Sequence, residues 1–279
     1  MYGTNGAPHP HSPKIVVYPA MDLFEPFTGT AAELLQSLLS KCELLADQNG
    51  EGKEKFFKWF SSVSTAAGNL FVLAFYGKAV YGGRAEASSD IDVLCFISDR
   101  SSFRETEQMA QVLMETKVPK FIHTHFLYGH GTPIDTVSNW KRFCVVNSLL
   151  VLPEPDDSFR ESVELGRKLV LESPFFEGGL GELITYAAYK VLQGKETHYF
   201  EPDKRVLLTK PFFVSEFGFE LAPLHPAEFN KDVRSELRTK FDDDDLRAIA
   251  IAAMRRIRVK KEKQVELADQ FVRTLRPHH

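Results

Sequence analysis

Apolar residues in the first part of the chain recur with helical spacing before the pattern changes. Thr30-Ala-Ala-Glu33 has the form of a capping box, and the leucines that follow it at helical intervals predict a helix over 30–46. A polar, glycine-containing stretch separates this helix from a second amphipathic one, predicted over 53–65. The fold is therefore expected to begin with a pair of helices.

The pattern then changes to the short apolar runs that are typical of strands. Leu70 to Tyr76 is uninterrupted and bounded by glycines, which predicts a strand covered on both faces. Lys120 to Tyr128 alternates and places His123 and His125 on one face. Their spacing suits a transition metal, but a structural pair is the simpler interpretation because no further ligands accompany them. Strands are predicted over 70–76, 91–97, 120–128 and 134–137, with a helix over 102–116.

Beyond Trp140 the pattern is mostly helical. Helices are predicted over 157–171, 180–192, 226–240 and 243–275. The segment 152–156, Leu-Pro-Glu-Pro-Asp, is the best linker candidate, so we predict one domain over 16–152 and a second over 153–279. Residues 1–15 are rich in Gly, Pro and His and predict a flexible arm. The expected fold class is α/β, with a short mixed sheet and helices in the core and a mostly helical C-terminal domain.

Composition and charge narrow the class of protein. The 279 residues are 43% hydrophobic, which predicts a folded chain with a sizeable core. Because 34 Lys and Arg stand against 38 Asp and Glu, the net charge is −4, unlike that of a general nucleic-acid-binding protein. Three scattered cysteines, Cys42, Cys95 and Cys144, predict a reducing intracellular compartment, the cytoplasm first and an organelle as the alternative. No apolar run predicts a membrane span.

Candidate chemistry lies between the first two strands. The turn from Gly77 to Gly83 allows backbone amides to come close to phosphate oxygens. Asp90 and Asp92 are two residues apart in a strand and therefore share a face, where two carboxylates require a cation such as Mg²⁺. This combination suits phosphoryl or nucleotidyl transfer with two metal ions. Asp135, on a neighbouring strand, would be a third acid that binds metal or accepts a proton; a turn-forming role is its alternative.

Taken together, these residues resemble the signature of the nucleotidyltransferase superfamily related to DNA polymerase beta. Gly77-Lys78, eleven intervening residues, Asp90-Ile-Asp92 and a later strand-borne acid follow that signature. Within the superfamily the chain looks most like the terminal RNA nucleotidyltransferases, meaning terminal uridylyltransferases and related poly(A) polymerases. Further similar stretches are Val118-Pro-Lys120, Asp135-Thr-Val-Ser-Asn139, and Gly178-Gly-Leu180 with Leu192-Gln193 at the end of its helix.

The resemblance implies a nucleotidyltransferase-like core followed by a helical domain that closes the cleft. Three acids would be catalytic and would hold two Mg²⁺ ions: Asp90, Asp92 and Asp135. Five residues would contact the nucleotide: Gly77, Lys78, Ser89, Lys168 and Tyr186. The donor is expected to be a nucleoside triphosphate and the acceptor an RNA 3′ end. Protein partners in RNA processing are also expected, and no membrane partner is.

The sequence departs from the family at two places and leaves alternatives open. Lys78 stands where the family has Ser, and Gly181-Glu182-Leu183 stands where Ser-Ser-Tyr is expected. Lys78 favours a binding module that has lost catalysis, while the acidic balance favours a small-molecule acceptor. Lys168 is alternatively a solvated helix residue and Tyr186 a core residue. The basic stretch 255–263 is either a solvated face or a surface that grips RNA phosphates.

Overall fold

The fold is of the α/β class and mostly helical where it is described. The computed structural model describes residues 14–48, 50, 53–67, 71–77, 91–97, 119, 122–128, 148–155, 157–192 and 226–276. The strands are β1 Val16–Tyr18, β2 Phe71–Tyr76, β3 Ile91–Ile97, β4 Ile122–Tyr128 and β5 Leu149–Leu152. The helices are α1 Ala31–Gln48, α2 Lys53–Ala67, α3 Asp157–Glu172, α4 Leu180–Lys190, α5 Pro226–Lys240, α6 Asp243–Arg256 and α7 Lys261–Leu275. The predicted helix 102–116 and strand 134–137 lie outside these residues.

The strands form one mixed sheet in the order β1-β5-β2-β3-β4, as a mixed sheet was predicted. Only the β3–β4 pair is parallel; the other pairs are antiparallel. Tyr18 pairs with Leu149, and Tyr76 pairs with Asp92. Continuing the β2–β5 register beyond Phe75 and Leu150 brings Tyr76 level with Leu149. Tyr18, Leu149, Tyr76 and Asp92 therefore lie in one row across the sheet.

The sheet is covered on both faces. Helices α1 and α2 pack through Leu38, Leu45 and Trp59 on the face that contains Phe75, Ile91 and Val93. On the other face, Phe159 and Val163 of α3 pack against residues that include Val72, Tyr76 and Leu149. The continuous apolar run of β2 is therefore explained by burial on both sides.

The helices α4 to α7 form a second hydrophobic cluster, to which α3 contributes Val170. Residues 19–27, which we call the strap, run from β1 into this cluster and place Met21 and Phe24 in its core. The buried Ser148 Oγ accepts hydrogen bonds from the backbone N–H groups of Ala20 and Phe27, both at 3.1 Å. The strap thus connects the sheet to the helical cluster.

One strand was not predicted, and one predicted helix is wrong. The chain after Trp140 is mostly helical, as predicted, but Leu149–Leu152 is a strand inside the sheet with all four residues buried. The helix predicted over 243–275 ends at Arg256 and resumes at Lys261. Arg258 has a φ of +61° there, and Val259 forms a backbone bridge with Phe24 of the strap. A tertiary contact, rather than a local Gly or Pro, breaks the helix.

Of the N-terminal arm predicted over 1–15, residues 1–13 lie outside the described residues. Ile15 packs against the sheet cluster, and Lys14 Nζ lies 3.0 Å from Glu154 Oε2. Within the described part of the chain, every helix is too short or too polar to cross a lipid bilayer.

Candidate functional site

The end of β2 and the start of β3 bring two of the predicted site residues together. Gly77 follows the last residue of β2, and Asp92 is the second residue of β3. A Cβ atom placed on Gly77 would lie 3.0 Å from Oδ2 of Asp92, closer than ordinary van der Waals contact. Gly77 also has a φ of +82°, which favours glycine. Gly77 therefore lies close to the Asp92 carboxylate, in a place where a side chain would not fit.

The strand pattern explains the direction of the Asp92 side chain. Ile91 and Val93 are both 0% exposed and pack under α1 and α2. Because side chains alternate along a strand, Asp92 belongs to the opposite face, with Tyr76 beside it. Asp92 is partly exposed to solvent. One oxygen ligand for a hard divalent cation thus lies next to a turn without a Cβ.

Four predicted site residues lie outside the described residues: Lys78, Ser89, Asp90 and Asp135. The pairing of Asp90 with Asp92, the third acid and the phosphate contacts of Lys78 and Ser89 therefore stay predictions. Within the described part of the chain, no three His, Cys, Asp or Glu side chains are grouped to hold a metal ion.

Lys168 lies on the outer side of α3. The face of α3 that packs inward carries Phe159, Val163 and Val170. At about 100° per residue, Lys168 lies roughly 140 to 180° around the helix from these three residues. Its side chain is 65% exposed, and its ammonium lies 3.9 Å from Glu172. Its predicted contact with a triphosphate stays a prediction, and it requires that the side chain reach around the helix.

Tyr186 lies on the one side of α4 that is partly exposed. Glu182, Tyr186 and Lys190 form this side, whereas the other residues of the helix are buried. The Lys190 ammonium lies 5.5 Å from the centre of the Tyr186 ring. Tyr189 is 1% exposed within the helical cluster and is a core residue. Of these aromatic residues, Tyr186 is the one that remains accessible to a ligand.

At the start of α4, the nucleotidyltransferases that this chain resembles have Ser-Ser-Tyr. In this chain the same residues pack against neighbouring segments. A Cβ on Gly181 would lie 2.3 Å from the Phe175 ring, so the helix packs there only because the residue is glycine. Glu182 forms an ion pair at 3.5 Å with Arg234 of α5 and accepts a hydrogen bond from Asn230. Arg234 also stacks over Phe176, 4.9 Å from its centre. Glu182 is thereby committed to interhelical contacts.

Strand pairing adds one residue to this region that the sequence pattern did not connect with it. The backbone of His123 in β4 is the register partner of Asp92, and His125 pairs with Leu94. The sequence placed both histidines on one strand face but gave no signal of which strand lies next to β3, because the parallel pairing is set by the fold.

The row that contains Asp92 ends at Tyr18 on the edge strand. The Tyr18 ring packs edge-on against Phe159 at 5.5 Å. Burial raises the pKa of Tyr18 above its usual range, although Arg160 and Arg167 act in the opposite direction. Tyr18, at this end of the row, is therefore a neutral packing residue.

Comparison with known proteins gave no match to any family model, curated protein or solved structure. The resemblance to nucleotidyltransferases accordingly rests on the motif residues named above.

Proposed function

We propose that this protein is a metal-dependent nucleotidyltransferase that moves a nucleoside monophosphate from a nucleoside triphosphate to an acceptor hydroxyl, in first place an RNA 3′ end. The acceptor oxygen forms a bond to the α-phosphorus, and the bond from that phosphorus to the bridging oxygen breaks. Pyrophosphate leaves with the bonding electrons, and the acceptor proton passes to a base. The observation that carries this proposal is that Gly77, at the end of β2, leaves no room for a Cβ beside the Asp92 carboxylate at the start of β3.

The residues at this edge fit a divalent cation. Asp92 offers carboxylate oxygens, and Asp90, two residues earlier, would add a second carboxylate. Bound Mg²⁺ ions would neutralise the developing charge on the phosphates. The protein's own part is to fix Asp92 between the buried Ile91 and Val93 and to leave room at Gly77 for the phosphates. Asp135 would complete the metal site or accept the proton.

Replacing Asp92 with Asn tests the proposal. The carboxamide keeps the size of the side chain but loses its charge, so metal-dependent release of pyrophosphate should fall by at least about a hundredfold, as when a catalytic electrostatic partner is removed. Pyrophosphate release should be measured with each nucleoside triphosphate, Mg²⁺ and a short RNA. Asp47→Asn, an exposed position at the end of α1, is the matched control and should retain wild-type turnover. Unchanged turnover in Asp92→Asn would refute the assignment.

A nucleotide-binding module without transfer is the second candidate, and the start of α4 favours it. Glu182 and Gly181 serve packing between helices there, where the resembling family has Ser-Ser-Tyr. Thermal unfolding with a triphosphate separates the two candidates. Stabilisation by a triphosphate and Mg²⁺ together with pyrophosphate release supports the enzyme, and stabilisation without release supports the module.

A further inference from the structure

The corner between α6 and α7 carries the strongest local charge among the described residues. Residues 255–263 contain six basic residues against one acid, a net charge of +5 in a chain whose net charge is −4. The apolar residues of the corner point inward, since Ile257 is 8% and Val259 1% exposed. Arg255, Lys261 and Lys263 are exposed. We call residues 255–263 the basic corner.

Folding does not account for the lysines of the corner. Basic residues at the end of α6 suit the negative end of the helix dipole, but Lys260, Lys261 and Lys263 lie at the start of α7, where cations oppose it. Of these three lysines, Lys263 lies 3.6 Å from Glu266, whereas Lys260 and Lys261 have no acid within ion-pair distance among the described residues. At the other end of α6, by contrast, Asp243 and Asp244 each have an arginine partner.

Backbone hydrogen bonds connect the corner to the strap. The N–H of Glu25 donates to the Arg258 carbonyl at 2.8 Å, and the N–H of Lys260 donates to the Leu23 carbonyl at 2.9 Å. The strap leaves the sheet at Tyr18, in the same row as Asp92 and three strand spacings, about 14 Å, away from it. Leu23 is five residues further on, at most about 17 Å. With the hydrogen-bonded step from Leu23 to Lys260 added, the corner lies within about 35 Å of Asp92.

We propose that the basic corner binds the phosphate backbone of the RNA acceptor upstream of its 3′ end; this inference rests on the proposed function. The upper limit of about 35 Å corresponds to about ten stacked nucleotides at ~3.4 Å each. The chemistry of the corner favours a polyanion over other partners. A protein interface would require an apolar centre, but Ile257 and Val259 are buried. Among polyanions, the proposed transfer at Asp92 and the short distance to it favour the RNA acceptor over an anionic membrane surface.

The test neutralises two lysines in the first turn of α7. Lys261→Gln/Lys263→Gln removes two positive charges from a position where they oppose the helix dipole, so the variant should fold at least as well as the wild type. Binding of a labelled 15-nucleotide uridine RNA should be measured by fluorescence anisotropy over a range of salt concentrations. The slope of log affinity against log salt should decrease by about 1.4, or ~0.7 for each lost phosphate contact. A uridine trinucleotide should bind both proteins equally.

The matched control is Lys58→Gln/Lys231→Gln, which makes the same change in charge at exposed positions on α2 and α5. This control should bind the 15-nucleotide RNA like the wild type. The inference would be overturned by an unchanged slope in the corner variant or by an equal loss of RNA binding in the control. It would also be overturned if the corner variant lost binding to phosphatidylserine vesicles, measured alongside, but not to the RNA.

Thermal stabilisation by triphosphate and Mg²⁺ keeps the two proposals apart. If it persists in the corner variant while RNA binding does not change, the corner assignment fails and the proposed function stands. If the wild type shows no such stabilisation while the corner variant loses RNA binding, the proposed function fails and the corner stands as an RNA-binding surface.

Discussion

At the residue scale, the geometry of the candidate site depends on Gly77 having no Cβ atom. Gly77 leaves no room for a Cβ beside Asp92, and its φ of +82° is a conformation that other residues adopt at a cost. The sequence predicted a glycine turn here, and its contact with phosphates stays a prediction. Its closeness to Asp92 was not, because it follows from the β2–β3 register, which pairs Tyr76 with Asp92.

Gly77→Ala should therefore affect both stability and ligand binding. The left-handed backbone alone should cost about 1 to 2 kcal/mol of unfolding free energy, and the new Cβ should displace the Asp92 carboxylate. We expect the thermal stabilisation by triphosphate and Mg²⁺ to be lost. Urea denaturation gives the first quantity and ligand-dependent thermal unfolding the second.

Gly50→Ala is the control, since Gly50 has a φ of +67° but no atom within 4 Å of the position of its Cβ. It should show a similar loss of stability and full stabilisation by the ligand. Retained ligand binding in Gly77→Ala would contradict the importance of this contact.

At the scale of elements, the sequence predicted those helices and strands that have local signals at their ends or a clear hydrophobic period. The structure confirms the helix that starts at the capping box of Thr30 and Glu33 and the strands β2 and β3. Each of these elements has flanking signals or a clear period in the sequence. Leu149–Leu152 was missed because four apolar residues before a proline carry no period, and its place in the sheet comes from long-range pairing. The break after Arg256 was missed because Ile257 and Val259 continue a plausible helical pattern.

The capping box at the start of α1 gives a prediction about pH. The N–H and hydroxyl of Thr30 both donate to Glu33 Oε2, at 2.7 and 2.9 Å, and lower the pKa of Glu33 below its usual range. A depressed pKa means that the ionised carboxylate stabilises the fold above the unfolded pKa of about 4.3. This contribution should disappear as the pH falls through the lower folded value.

The measurement is urea denaturation of the wild type and Glu33→Gln at pH 7 and at pH 3. The wild type should be the more stable protein at pH 7, and the difference should shrink at pH 3. Glu54→Gln, an exposed acid in the first turn of α2, is a control without a comparable hydrogen bond in the described structure. A difference that is constant with pH would contradict the role of the Glu33 carboxylate.

At the scale of the whole molecule, the strap decides how the sheet and the helical cluster are joined. It begins in the row of Asp92, contributes Met21 and Phe24 to the helical cluster and holds the corner that follows α6. The sequence predicted a boundary near 152–156 but gave no indication that an N-terminal segment would complete the C-terminal cluster. Such a contact depends on two segments more than 200 residues apart, beyond the reach of periodicity.

Ser148→Ala should loosen this connection. The Ser148 side chain is buried, and its loss would leave the N–H groups of Ala20 and Phe27 without their acceptor. Because these two donors are partly buried, losing their acceptor should lower the free energy of unfolding by about 1 to 2 kcal/mol. Hydrogen exchange at these two amides should accelerate, whereas exchange in the centre of β2 should change only as the global stability does.

Ser235→Ala, at an exposed position on α5, is the matched control and should change the free energy of unfolding by less than about 0.5 kcal/mol. A loss of that small size in Ser148→Ala would mean that the strap is held by its apolar residues alone.

The strap belongs to the N-terminal half by its position in the sequence but packs in the C-terminal helical cluster. This matters when the protein is divided into separate polypeptides. A fragment that ends at residue 152 would carry Met21 and Phe24 with nothing to cover them, and its counterpart would have an open gap between α6 and α7. Any dissection of this protein therefore needs residues 19–27 to be supplied together with the C-terminal half, as a linked or added peptide.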